Sequence, residues 1–124
     1  MGARIQLDFG DVQVPATLND TDTARVFAQA LPLTVQVSGT GIDFCGTLPL
    51  DLPYEPDQVG YGWTDGDVNY NPQGGWFALL FADQENSGRY GDQVNLGRVE
   101  GPLDALRTLQ GSFSLRITRR EGDA

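Results

Sequence analysis

The sequence predicts a mainly β protein, a small closed barrel of eight strands with two short helices. Three observations carry that prediction. Sixteen glycines and seven prolines in 124 residues punctuate the chain often, which favours strands and turns over long helices. Eight short segments are alternating or continuous apolar runs of strand length. Only two segments read as helix, each marked at its ends by proline or a capping side chain. Closing eight strands into a barrel filled by its own side chains removes exposed sheet edges. An open sandwich is the structural competitor.

The elements follow in order. "RIQLDF" (4–9) alternates, with Ile5, Leu7 and Phe9 on one face. "GD" (10–11) is a hairpin turn, and "VQVPATL" (12–18) alternates again. Pro15 has no N–H, so it belongs at an unpaired edge or a bulge. "NDTDTARVFAQALP" (19–32) is the clearest helix. Asp20 or Thr21 caps it, Pro32 closes it, and Ala24, Phe27, Ala28 and Leu31 form its apolar stripe. Strands resume at "LTVQVSG" (33–39) and "IDFCGTL" (42–48). The segment 49–63, rich in proline, reads as a long irregular excursion. "DGDVNYN" (65–71) is a short strand with Val68 and Tyr70 opposite its polar set, and "PQGG" (72–75) is a turn. "WFALLFA" (76–82) is apolar on both faces and is expected to be the most deeply buried strand. A polar loop (83–92) leads to "VNLGRVE" (94–100). A short helix falls within 101–111, and "SFSLRIT" (112–118) is the last strand. Residues 119–124 are expected to fray.

Length and composition limit what the chain can be. At 124 residues it is expected to form one domain, with its core over about 4–118. A chain of that size buries roughly two-thirds of its unfolded surface, enough for a core without staples. No apolar run approaches the roughly 18 residues of a membrane span. The start lacks a signal-peptide apolar region, and the lone Cys45 excludes an internal disulfide, so the sequence predicts a cytoplasmic protein. Seventeen acids stand against eight Arg, a net charge of −9. That charge repels phosphate backbones and anionic bilayers, so nucleic acid and membrane are excluded as partners. The sequence leaves the oligomeric state open.

Missing residue types exclude further chemistry. Without His there is no Ser-His-Asp or Cys-His catalysis and no His-rich metal site. All eight basic residues are Arg, so a Schiff base and a P-loop lysine are excluded as well. No cofactor is expected. Asp65, Asp67, Asn69 and Asn71 alternate and suggest calcium, but Tyr70 and Trp76 stand where the EF-hand pattern requires Gly and Glu. No metal site is expected, and the four polar residues read as a solvated strand face.

"LNDTDTARVFAQALPLTVQV", "GTLPLDLPY", "GDVNYNPQGGWFALLFAD" and "VNLGRVEGPLDAL" follow one another in order. Together they resemble the small prokaryotic stand-alone cyclophilin-like domains. The most specific pieces are Gly66, Asp67, Tyr70 and Pro72 in one stretch and Leu96 to Val99 in another. The resemblance implies an eight-stranded barrel capped by helices, in agreement with the element count, and it implies no activity. True cyclophilins lower the barrier to X-Pro rotation, which for ordinary peptide bonds is ~18–20 kcal/mol, without covalent chemistry. Their Phe-His-Arg and Phe-x-Met-Ala-Asn-x-Gly stretches are absent here.

Six rings, Tyr61, Trp63, Tyr70, Trp76, Phe77 and Phe81, fall close together. Phe77 and Phe81 read as core. Tyr61 and Trp63 stand in "VGYGWTDG", a glycine-rich connection where packing alone rarely calls for two such rings. The expected ligand groove is therefore lined by Tyr61, Trp63, Tyr70, Trp76 and Arg98. Arg98 and Glu100 are two apart and share a strand face, where an Arg–Asp or Arg–Glu pair is expected over acid–base chemistry. Cys45 reads as a small filler whose pKa the nearby Asp43 would raise. The residues favour a non-catalytic module that binds a small molecule or a Pro-containing peptide. Peptidyl-prolyl isomerisation is the enzymatic alternative.

Overall fold

The computed structural model describes residues 2–120. Its strands are β1 (Arg4–Asp8), β2 (Gln13–Leu18), β3 (Leu33–Gly39), β4 (Asp43–Thr47), β5 (Asp67–Asn71), β6 (Trp76–Leu80), β7 (Val94–Val99) and β8 (Ser112–Arg119). The helices are α1 (Asp22–Gln29) and α2 (Asp104–Thr108). Short 3-10 turns cover Pro56–Gln58 and Gln84–Arg89 within the two segments expected to be irregular. The strands close into an antiparallel barrel in the order β1-β2-β7-β5-β6-β4-β3-β8. The eight-stranded barrel with two short helices is thus the architecture of the chain.

Period-2 alternation dictates which side chains enter the barrel. Ile5, Leu7, Val14, Val35, Phe44, Phe77, Leu79, Leu115 and Ile117 all point inward and are buried. Pro15 lies where the β2–β7 ladder runs out. The ladder pairs Ala16 with Val99, and beyond it the Pro15 carbonyl accepts the Glu100 N–H at 2.9 Å. No donor is lost there, so proline is tolerated at a ladder end in a barrel without free edges. Gly46 marks a close approach of strands. A Cβ there would stand 1.8 Å from the Gln36 carbonyl oxygen of β3.

The helices sit toward opposite ends of β6. Thr21 caps α1, its Oγ1 accepting the Ala24 N–H at 3.2 Å. From α1, Phe27 stacks on Phe77 near the start of β6, with centroids 6.1 Å apart. From α2, Arg107 Nε donates to the Phe81 carbonyl just past the end of β6. Between these ends Leu106 and the strand interiors complete a continuous apolar core.

Two expectations are corrected. The last residues do not all fray: Arg119 belongs to β8, and the Arg120 N–H donates to the Arg4 carbonyl at 3.0 Å. Residues 121–124 of that expected tail lie outside the described residues. The polar face of β5 is not wholly solvated either. A register shift between Val68 and Asn69, opposite β7, buries Asn69 to 2% exposure. Its amide bonds satisfy it there: Asn69 donates to Gln93 at 2.8 Å and accepts from Asn95 at 2.9 Å. Asn19 extends the chain, donating to the Asn95 side chain and accepting from the Thr21 hydroxyl. No helix among the described residues is long and apolar enough to cross a membrane.

Candidate ligand-binding face

Outside the barrel, the connection before β5 runs antiparallel to the stretch before β7. Gly60 and Gln93 exchange both backbone hydrogen bonds, at 2.9 and 3.0 Å, and the Gly62 N–H donates to the Tyr90 carbonyl at 2.8 Å. This short ladder sets Tyr61 and Trp63 beside Tyr90 and Gly91. Gly62 has φ +81°, and a Cβ there would lie 2.9 Å from Ser87 Oγ. Ser87 Oγ instead accepts the Trp63 N–H at 2.9 Å and donates to the Gln84 carbonyl at 2.8 Å. Glycine is thus required at the point where the chain turns its two rings outward.

The rings differ in how they are held. Trp63 donates its indole N–H to the Ala82 carbonyl at 3.0 Å and stacks on Tyr90, centroids 5.5 Å apart and planes 27° apart. The Arg89 guanidinium carbon lies 5.1 Å from the Tyr90 ring centre. Tyr61 rests against Gly91, where a Cβ would approach its ring to 2.9 Å, and is 76% exposed. Beside these rings lies an open depression of about 500 Å³ lined by Tyr61, Trp63, Thr64, Asp67, Glu85 and Ser87, among others.

Asp67 forms its charged wall. Its Oδ2 accepts the Thr64 N–H at 2.9 Å, and Arg98 Nε stands 3.7 Å from its Oδ1. Burial pushes the Asp67 carboxyl above its ordinary range, and the Thr64 hydrogen bond and the Arg98 charge oppose that shift. Arg98 also donates to the Asp65 carbonyl at 3.1 Å, so its guanidinium braces the turn into β5. The Asp67–Arg98 pair follows from their cross-strand register.

Of the five residues expected in the groove, the structure groups Tyr61 and Trp63, with Arg98 behind Asp67. Tyr70 stands apart. It shares the inward face of β5 with Val68, is 3% exposed, and its hydroxyl oxygen accepts the Leu52 N–H at 3.4 Å. Trp76 is 44% exposed at the start of β6. Trp63 is tied to Ala82, just past the far end of β6, so the length of that strand lies between it and Trp76. Tyr90 and Ser87 complete the face and were not anticipated. Tyr90 lies in "GRYG", where glycines flank the aromatic stretch much as they flank Tyr61.

The other candidate groups lie elsewhere. Glu100 does not meet Asp67. Thr17 donates its hydroxyl to Glu100, Arg120 bonds it at 2.6 Å and Arg4 stands 3.8 Å away. Those contacts, the Thr17 hydrogen bond first, hold the Glu100 carboxyl below its ordinary range. Cys45 faces outward, half-buried, and burial followed by the Asp43 charge pushes its thiol up. Among the described residues, no group of three or more His, Cys, Asp or Glu side chains could hold a metal ion.

The profile of the Cyclophilin-like family matches residues 7–118. The solution structure of a hypothetical protein from Archaeoglobus fulgidus superposes with a TM-score of 0.78 at 19% identity, covering 96% of this chain and 95% of that one. At that identity the likeness is one of fold. No curated protein matches the chain.

Proposed function

Because the chain belongs to the Cyclophilin-like family, whose barrel by itself assigns no activity, we propose that its function lies in the face added outside the barrel, as a non-catalytic binding module. One observation carries this reading. Tyr61 is 76% exposed, yet it is held by a glycine-shaped two-strand bridge beside a stacked, hydrogen-bonded Trp63. Tyr61 and Trp63 supply the apolar contact, and Thr64 and Asp67 supply polar groups that orient a ligand.

The open shape of the depression favours a peptide over a free small molecule, because small ligands bind where most of their surface is enclosed. Intrinsic tryptophan fluorescence across a panel of peptides, Pro-containing ones included, tests the reading. A response from some panel members that disappears in Tyr61→Ala supports it, and silence across the whole panel counts against it.

Peptidyl-prolyl isomerisation is the second reading, and Arg98 is the observation in its favour. A guanidinium could stabilise a twisted amide at the Asp67 wall. Its hydrogen bond to the Asp65 carbonyl and its ion pair with Asp67 weigh the other way. Catalysed isomerisation of a short Xaa-Pro peptide, lost in Arg98→Ala, would favour the enzyme over the module.

A further inference from the structure

We propose that the occupant of this depression is an arginine side chain presented by an extended peptide. The inference rests on the reading of the face as a peptide-binding site and names what that site selects.

Charge comes first. The chain carries −9 overall, and the lining of the depression includes the carboxylates of Asp67 and Glu85 but no basic residue. Glu85 has no ion-pair partner among the described residues. Asp67 Oδ1 meets Arg98 only at 3.7 Å, beyond a hydrogen bond, so its lone pairs remain open to a donor. Arg98 stands behind Asp67, bonded to the Asp65 carbonyl, and tempers this wall, while Arg89 on the same face is already engaged by the Tyr90 ring.

The rings point the same way. Electron-rich ring faces attract cations, and a planar guanidinium also stacks on them. The molecule already does this once on this face: Arg89 lies over Tyr90, which stacks on Trp63. Tyr61 is the neighbouring ring with its surface still open. Acceptors complete the match. A guanidinium offers five N–H donors in a fixed fork. The carboxylates of Asp67 and Glu85 line the depression to receive them, while Ser87 Oγ and Gln84 Oε1 are already engaged by the Trp63 and Asp65 N–H groups. An anionic side chain would meet repulsion from the same carboxylates.

The test uses Trp76→Phe, which leaves Trp63 as the only tryptophan of the two in the chain. Three peptides that differ at one position are titrated: arginine, its neutral isostere citrulline, and glutamate. The arginine peptide is expected to shift Trp63 emission and to bind about tenfold more tightly than the citrulline peptide, with the glutamate peptide silent. Added salt and Glu85→Gln should each weaken the arginine peptide and leave the citrulline peptide unchanged. Equal binding of arginine and citrulline peptides would overturn the arginine assignment while leaving the binding module standing. Silence from the arginine peptide overturns the assignment too, and the broader panel then decides the module separately. If Trp76→Phe fails to fold, the Trp63 indole N–H resonance of the unaltered chain reads the same titration.

Discussion

The molecule has two aromatic clusters with similar ring spacing and opposite surroundings. Inside the barrel, Phe9, Phe44, Phe81 and Phe113 pack with centroids 5.0 to 5.7 Å apart. Outside it, Trp63 and Tyr90 stack at 5.5 Å with Arg89 alongside and Tyr61 in solvent. The inner rings are all Phe, with no polar atom to satisfy. The outer rings are Tyr and Trp, and a polar handle anchors Trp63 to Ala82. Ring proximity therefore does not separate the two clusters, and a polar handle alone does not either, since the buried Tyr70 carries one; exposure of a held ring does.

The largest expected effect comes from breaking the inner cluster. Phe44→Ala removes a fully buried ring that touches three others and should cost about 3–5 kcal/mol, read as a drop in chemical-denaturation midpoint. The outer cluster depends instead on backbone shape. Gly62→Ala meets both the positive φ and Ser87 Oγ at 2.9 Å, and should cost about 1–2 kcal/mol while disordering the Trp63–Tyr90 stack in near-ultraviolet dichroism.

A smaller effect separates the two regions by charge. Asp43 lies on the outer face, across from Leu80, and burial raises its pKa despite the Thr40 hydrogen bond. The folded state holds that proton more tightly than the unfolded one. Stability from this group is therefore complete in acid, below the ordinary carboxylate pKa, and is lost as pH rises through the raised value. Asp43→Asn, which mimics the protonated form, should gain on the natural chain as pH rises from about 3 to 7, since ordinary carboxylates titrate near the low end of that span. Denaturant melts at several pH values check the sign. The interior Phe cluster, lacking any such group, should give Phe44→Ala a cost nearly independent of pH.

Much of the barrel was legible because half-buried strands must alternate. β1, β2, β3 and β8 show the pattern plainly, and Thr21 with Pro32 brackets α1. The same parity rule applied to Tyr70 places it with Val68 on the inward face, away from any groove. Closeness to Tyr61 in the sequence does not carry over into space, because strand direction sends the Tyr70 ring inward. The bulge that buries Asn69 left no trace, since a register shift depends on the partner strand β7. The pairing of Gly60 with Gln93 was equally hidden. It joins two glycine-rich segments with no alternation to match, and it is what brings Tyr90 to Trp63.

The proposed binding role makes Tyr61 a recognition residue and not a folding one. In Tyr61→Ala the denaturation midpoint should correspond to a stability within about 0.5 kcal/mol of the natural chain. The arginine peptide should no longer change Trp63 emission. A variant that unfolds markedly earlier, or one that still responds to that peptide with undiminished affinity, would contradict the claim.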